Sequence, residues 1–209
     1  MATKAKRMTR QESQEQTRER LLLAAQVIFL REGYGGAKIE DITAEAGFTR
    51  GAFYSNFERK DEVLMELLRR DEKSFLEPAS RLFEETFTQD QLKSAALLYF
   101  GKLFSKNELF PLWAEARLLA GRDAKFSECF NTFMEDERRQ VVQVLEFFAV
   151  KAGIPLPMPA NILALGLISL VEGVQAYYTS DPSQMTEQVA EQILGEFLAR
   201  VMFGHGRSG

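Results

Sequence analysis

Apolar residues in this chain recur at three- and four-residue spacing almost from end to end, and nowhere do they alternate with period two over any length. Such spacing returns a side chain to the same face once per helical turn, so it predicts an all-α fold of amphipathic helices. With 209 residues, of which 45% are apolar and 27% charged, the chain has the mix of a globular protein and enough apolar material for a sizeable core. No internal repeat or low-complexity linker interrupts the pattern.

Glycine and proline divide the pattern into segments. The first helix is predicted over Gln14 to Arg31, with Ser13 and Gln16 as a capping box. Leu21, Leu22, Ala25, Ile28 and Phe29 form its buried face, and Gly33 takes the left-handed position after its end. Two short helices follow, Ile39 to Ala46 and Arg50 to Phe57, the second capped by Thr49 and burying Phe53 and Phe57 as an i, i+4 pair. A long helix opens at Lys60 and Asp61, with Val63, Leu64, Leu67 and Leu68 as its stripe and Phe75 and Leu76 extending it toward Pro78. Further helices are predicted at about 90–105, 111–121, 124–151, 160–179 and 184–203.

Composition excludes several chemistries. A single cysteine, Cys129, allows no internal disulfide and no cysteine-based zinc site, and a single histidine, His205, leaves no Ser-His-Asp triad or histidine metal cage. No cofactor and no metal are therefore expected. The basic start, MATKAKRMTR, is followed by no apolar signal-peptide core, and the longest apolar run, Ile162 to Val171, is too short for a membrane span and ends at Glu172. The expectation is a cytoplasmic protein with no membrane partner. The net charge of -4 hides an asymmetry: residues 1–60 carry 11 Lys or Arg against 8 Asp or Glu, and the remainder 15 against 22. A basic N-terminal part on an acidic body implies that only the former approaches a polyanion.

The most informative segment is Ile39 to Phe57, IEDITAEAGFTRGAFYSNF. Two short helices joined at Gly47 and Phe48 have the spacing of a helix-turn-helix, in which the first helix braces the backbone and the second enters the major groove of DNA. The outward side of the second would carry Thr49, Arg50, Ala52, Tyr54, Ser55 and Asn56. Gly51 and Ala52 are small enough for close approach, and Arg50, Ser55 and Asn56 can hydrogen-bond base edges or phosphates. Taken alone, the same pattern also fits an ordinary helical corner.

Residues 17–64 resemble the DNA-binding domain of the tetracycline-repressor-like (TetR) family of transcriptional regulators. The resemblance is carried by Thr17-Arg18, Leu21-Leu22, Ala24-Ala25, Phe29, Gly33-Tyr34, Ile39, Asp41-Ile42, the run Ala46 to Tyr54, Phe57, and Lys60 to Leu64. It implies that Arg50 to Phe57 is the recognition helix, that Thr49 caps it and touches a phosphate, that Tyr54 contacts the DNA backbone, and that Lys60 binds a phosphate. Where the family usually opens its second helix with Thr or Ser, this chain has Ala37-Lys38, so a side-chain cap is lost and Lys38 can meet a phosphate instead. Thr43 replaces a usual alanine, and Ser55 and Asn56 replace the usual His or aromatic residues after Tyr54, which bears on which operator is read.

The resemblance further implies dimerisation through the last two long helices and a small molecule held inside the C-terminal domain. The segment 160–179 offers Ile162, Leu163, Leu165, Leu167, Ile168, Leu170 and Val171 with small Gly166 and Gly173, and the last helix offers Val189, Ile193, Phe197 and Val201, so Leu167 and Phe197 are expected at the dimer contact. Of the 17 phenylalanines, 11 lie between Phe75 and Phe148, which suits a lipophilic or aromatic effector. Candidate polar groups for it are Tyr99, Trp113, Glu115, Arg117 and Glu172. The expected organisation is a disordered basic arm over 1–12, a DNA-binding domain over 13–59, a ligand-binding and dimerisation domain over 60–204, and a disordered tail over 205–209. The expected function is that of a ligand-responsive repressor without catalytic activity, a homodimer on a palindromic double-stranded DNA operator. The alternatives are an activator, or a helical small-molecule-binding or enzymatic domain whose helix-turn-helix is only a corner.

Overall fold

The computed structural model of the chain describes residues 9–71, 88, 91, 92, 94, 95, 98 and 108–203. All regular structure among them is helical. The elements are α1 (Arg10–Gly36), α2 (Ile39–Ala46), α3 (Arg50–Tyr54), α4 (residues 60–71), α5 (Phe110–Ala120), α6 (Ala124–Ala152), α7 (Ala160–Ser180) and α8 (Glu187–Phe203). The helix expected at 90–105 lies mostly outside the described residues, as do Lys4, Lys6, Arg7, Tyr99 and the tail from residue 204.

α1 begins earlier than the sequence reading placed it. Thr9 and Glu12 form the capping box: the Thr9 hydroxyl accepts the Glu12 N–H at 3.2 Å and the Glu12 carboxylate accepts the Thr9 N–H at 2.7 Å. Ser13 is already inside the helix, its N–H bonded to the Thr9 carbonyl, so the expected Ser13–Gln16 box is not used and Arg10 to Glu12 are helical rather than part of a disordered arm. The physical reason is that glutamate carries the charge a helix N-terminus favours, whereas Gln16 carries none.

Among the described residues the chain divides into two compact units, one of residues 1–71 and 111–127, the other of 72–110 and 128–209. The expected boundary at residue 60 falls at the start of α4, inside the first unit. In that unit α1 packs on α2 and α3, and Leu21, Leu22, Ala25, Ile28 and Phe29 are buried as the periodicity predicts. Ile42, Phe53, Phe57, Val63, Leu64 and Leu68 are buried too, each worth about 1.5–3 kcal/mol of burial free energy. α5 adds the fully buried Leu112 and Ala116.

The described residues of the second unit form two clusters. Val144, Leu145, Phe148 and Ala149 of α6 pack with Leu163, Ala164 and Leu167 of α7, and Val174 of α7 packs with Ala190 and Leu194 of α8. Leu167 is thus a core residue and not part of an exposed contact face, because it shares its side of α7 with Leu163 and Ala164. The opposite side of α7 presents Ile162, Leu165, Gly166, Ser169, Gly173 and Tyr177 outward, and α8 presents Val189 and Phe197. As a whole, α7 is long and apolar enough to cross a membrane by length and composition, which the ten-residue run read from the sequence does not convey.

Candidate nucleic-acid interface

The turn between α2 and α3 is set by one residue. Gly47 adopts φ 71° and ψ 34°, the left-handed conformation that a β-carbon disfavours, and its N–H reaches back to the Ala44 carbonyl. The Phe48 N–H closes on the Thr43 carbonyl at 2.8 Å, which completes a Schellman end for α2. α1 secures this turn from below. The Arg20 guanidinium donates to the Ala46 carbonyl at 2.7 Å and lies 4.6 Å over the Phe48 ring. A β-carbon at Gly47 would stand 3.3 Å from that guanidinium nitrogen, so the glycine also makes room for the clamp.

The far end of α3 is held in the same way. Arg18 donates to the Asn56 carbonyl at 2.7 Å and covers the Phe57 ring at 4.1 Å. Phe53 and Phe57 are buried with ring centroids 5.6 Å apart, the expected i, i+4 pair. With its inner side anchored, α3 turns Thr49, Arg50, Gly51, Tyr54 and Ser55 outward, and Tyr54 keeps 48% of its surface exposed. Ala52 and Asn56 are half-buried at the edges of that face.

Thr49 stands at the N-cap of α3 in extended backbone, but its side chain makes no cap bond, contrary to the expected cap. The helix is only five residues long, and the Ala52 and Phe53 N–H groups bond instead to the Thr49 carbonyl. Lys38 occupies the N-cap of α2 without a side-chain cap, as its chemistry requires, and is exposed. Arg50 pairs with Glu40 at 2.8 Å and reaches the Tyr54 hydroxyl at 3.4 Å. Both partners of the ion pair are more than half exposed, so exchanging Glu40 for a phosphate costs little. Ser55 donates to the Gly51 carbonyl and Asn56 to the Ala52 carbonyl, both at 2.8 Å, which ties the Ser55 hydroxyl proton and one Asn56 amide proton to the helix itself. Among the described residues a β-carbon at Gly51 would meet only Thr49 Oγ1 at 3.7 Å, so none of them requires a glycine there.

Lys60 has an internal task. Its ammonium donates to the carbonyls of Tyr34 at 2.5 Å and Ala37 at 2.8 Å and sits 4.3 Å over the Tyr34 ring. Burial lowers its pKa, opposed by the charges of Asp61 and Glu115. Two of its three N–H donors are thereby used, and a phosphate contact falls to the third.

The residues expected around an effector separate. Tyr99 lies outside the described residues. Trp113 and Glu115, both on α5, reach back within the first unit: the Trp113 indole donates to Asp71 at 2.6 Å, and the Glu115 carboxylate accepts the Tyr34 N–H at 2.6 Å. Arg117 is half-buried on α5 in that unit, while Glu172 is half-buried on α7 in the second. Sequence reasoning missed the clamps. Arg18 is among the residues that carry the resemblance, but its partner is a carbonyl 38 residues away, and that of Arg20 is 26 residues away. Backbone carbonyls leave no mark on side-chain patterning.

The model of the family described as bacterial regulatory proteins, tetR family, matches residues 21–67, which span α1 from its first buried leucine to α4. The transcriptional repressor BepR of Brucella suis is 27% identical over 213 aligned residues, covering 97% of this chain and 87% of BepR. The transcriptional regulator SrpR of Pseudomonas putida is 43% identical over 54 residues, and that match covers 26% of this chain and only 25% of SrpR. A solved structure of a TetR transcription regulator from Haloarcula marismortui superimposes with a TM-score of 0.68 at 19% identity, covering 88% of this chain and 96% of that one.

Proposed function

The chain belongs to the tetR family of bacterial regulatory proteins and is a transcriptional regulator, and from that premise we propose that it is a repressor whose dimer binds an inverted-repeat DNA operator and is released by a small apolar or aromatic effector. The observation that carries the reading is the outward face of α3. Thr49, Arg50, Gly51 and Tyr54 project from a helix whose inner side is pinned by Phe53, Phe57, Arg18 and Arg20. A positioned helix with a small residue at its centre and donors beside it suits the major groove. Lys38, the third N–H of Lys60 and the basic residues at the start of the chain would neutralise phosphates. Ser55, Asn56 and Ala52 flank the reading surface. The repressor sense follows the name of BepR, a relative that aligns along nearly the whole chain. Such a protein works in the cytoplasm, where the DNA is, and needs no catalytic group.

The dimer reading is supported by the outward sides of α7 and α8. Mid-helix glycines lower helix stability by up to about 1 kcal/mol each relative to alanine. A β-carbon at Gly166 or Gly173 would meet nothing within 4 Å among the described residues, so packing among them gives no reason for either. A second copy lying close against Ile162, Leu165, Tyr177 and Phe197 would supply one. The Phe-rich sequence between residues 75 and 148 supports the effector class.

The test is selection from a random pool of duplex DNA by the full chain. The expected product is an inverted repeat with half-site centres about 34–36 Å apart or a near multiple. A pool that gains no common sequence, or only an asymmetric one, overturns the reading.

A further inference from the structure

The regular run of α1 ends abruptly at a kink, and its last few residues serve as the connecting loop to α2. At Gly33, φ 73° and ψ 158° break the helical run and turn the Tyr34 N–H out of the intrahelical ladder. All three polar groups of Tyr34 are then taken up from elsewhere in the same compact unit. Its carbonyl accepts from Lys60 at 2.5 Å and its hydroxyl donates to Asp61 at 2.5 Å, both partners lying in the first turn of α4. Its N–H donates to Glu115 of α5 at 2.6 Å. The short loop so gripped ends at Ala37, whose carbonyl also accepts from Lys60, and Lys38 then caps α2. The position of this loop therefore sets where α2 begins, and through the Gly47 turn where α3 points.

Glu115 comes close because Gly33 has no side chain. A β-carbon there would stand 3.2 Å from Glu115 Oε1, closer than an ordinary contact. Two residues earlier on the same helix, Trp113 fastens α5 to Asp71 at 2.6 Å. The helix is therefore held at two points, and the carboxylate is delivered to the loop by a fixed frame.

We propose that Glu115 is a positioning residue for DNA recognition: by accepting the Tyr34 N–H it holds the Gly33–Ala37 loop, and hence α2 and α3, in the orientation that reads the operator. The proposal rests on α3 being the DNA-reading element. Glu115 touches no DNA. Its loss leaves the phosphate-binding charges in place and loosens only the alignment that distinguishes one sequence from another.

The test uses the full chain, the duplex that the wild-type protein selects, and a scrambled duplex of equal length. The readout is the ratio of the two affinities, with salt dependence measured on each. Glu115→Asp keeps the charge but draws the carboxylate back by one methylene, and Glu115→Ala removes it. Both are expected to lower the ratio by about tenfold or more, the loss of one charge-assisted hydrogen bond, with an unchanged salt slope. Glu115→Gln retains an acceptor at the same place and should keep the ratio within about threefold of wild type. Amide exchange should show the Tyr34 N–H losing protection in the Asp and Ala variants. Where the Ala variant fails to fold, the Asp variant and its Tyr34 exchange decide. A wild-type ratio in the Asp variant, or unchanged Tyr34 protection, overturns the proposal. So does an equal change on both duplexes, which would mark a long-range charge effect. A wild-type protein that shows no preference between the duplexes overturns the underlying functional reading instead, before any variant is compared.

Discussion

Arg18 and Arg20 sit two positions apart on α1, and between them they hold the chain on both sides of α3, at Asn56 just past its end and at Ala46 before the turn that leads into it. The same division of labour extends to aromatic neighbours: Phe53 and Phe57 are buried, while Tyr54 between them is half out. That alternation was legible beforehand, because i, i+4 spacing assigns faces without any knowledge of partners. Glu115 was not, because its partner is a backbone N–H 81 residues upstream, and a glutamate on an amphipathic helix reads equally well as a ligand group. Tyr54→Ala should leave the fold intact and weaken binding to all duplexes by about 1 kcal/mol, roughly fivefold, as fluorescence anisotropy at fixed salt would show. Tyr34 gives a pH signature. Burial, and then its bond to Asp61, push its hydroxyl pKa well above the ordinary tyrosine value. The folded state thus prefers the protonated form. Its stabilisation is complete below the unfolded value of about 10 and is lost as pH rises beyond that toward the folded value. Urea melts should show Tyr34→Phe less stable than wild type by about 1 kcal/mol at neutral pH, with the difference shrinking above about pH 10.

At the scale of elements, α2 has the bounds that its sequence predicts, since Gly47 takes at little cost the left-handed conformation that ends it. α3 is shorter than expected, stopping at Tyr54 while a turn carries the chain to Phe57, because Ser55 and Asn56 bend their side chains back to the carbonyls of Gly51 and Ala52. The start of α1 was misjudged for a chemical reason: two Ser/Thr-x-x-Glu/Gln patterns stand four residues apart, and only charge separates them. Gly51 sets stability against function. Gly51→Ala should leave the melting temperature unchanged or raise stability by about 0.5–1 kcal/mol, since the new methyl has room and glycine is a poor helix former. Operator affinity should nonetheless fall, because the methyl stands between the helix and the groove. An alanine variant that binds as tightly as wild type would mean that α3 does not approach the bases at this point.

For the molecule as a whole, the all-helical class was readable from periodicity, but which apolar residues face inward and which face outward was not. Leu167 and Phe197 look alike in a hydrophobic pattern, yet the first is core and the second is 53% exposed. Sedimentation and circular dichroism separate them: Phe197→Glu should give a folded monomer, and Leu167→Glu should lose the fold, because a charge buried among Leu163, Ala164 and Phe148 costs several kcal/mol. The division into units also departs from the order of the chain. The unit that carries α3 is assembled from two stretches, 1–71 and 111–127, and the second supplies Leu112, Ala116 and the bond to Tyr34. A reading head of this construction is not a detachable cassette. Residues 1–71 alone should melt at a lower temperature than the same residues joined by a flexible linker to 111–127, and grafting the head onto another regulator should succeed only when both pieces travel together. Any exchange of heads between relatives, in the laboratory or by recombination, would have to keep faith with a helix that the gene encodes some forty codons later.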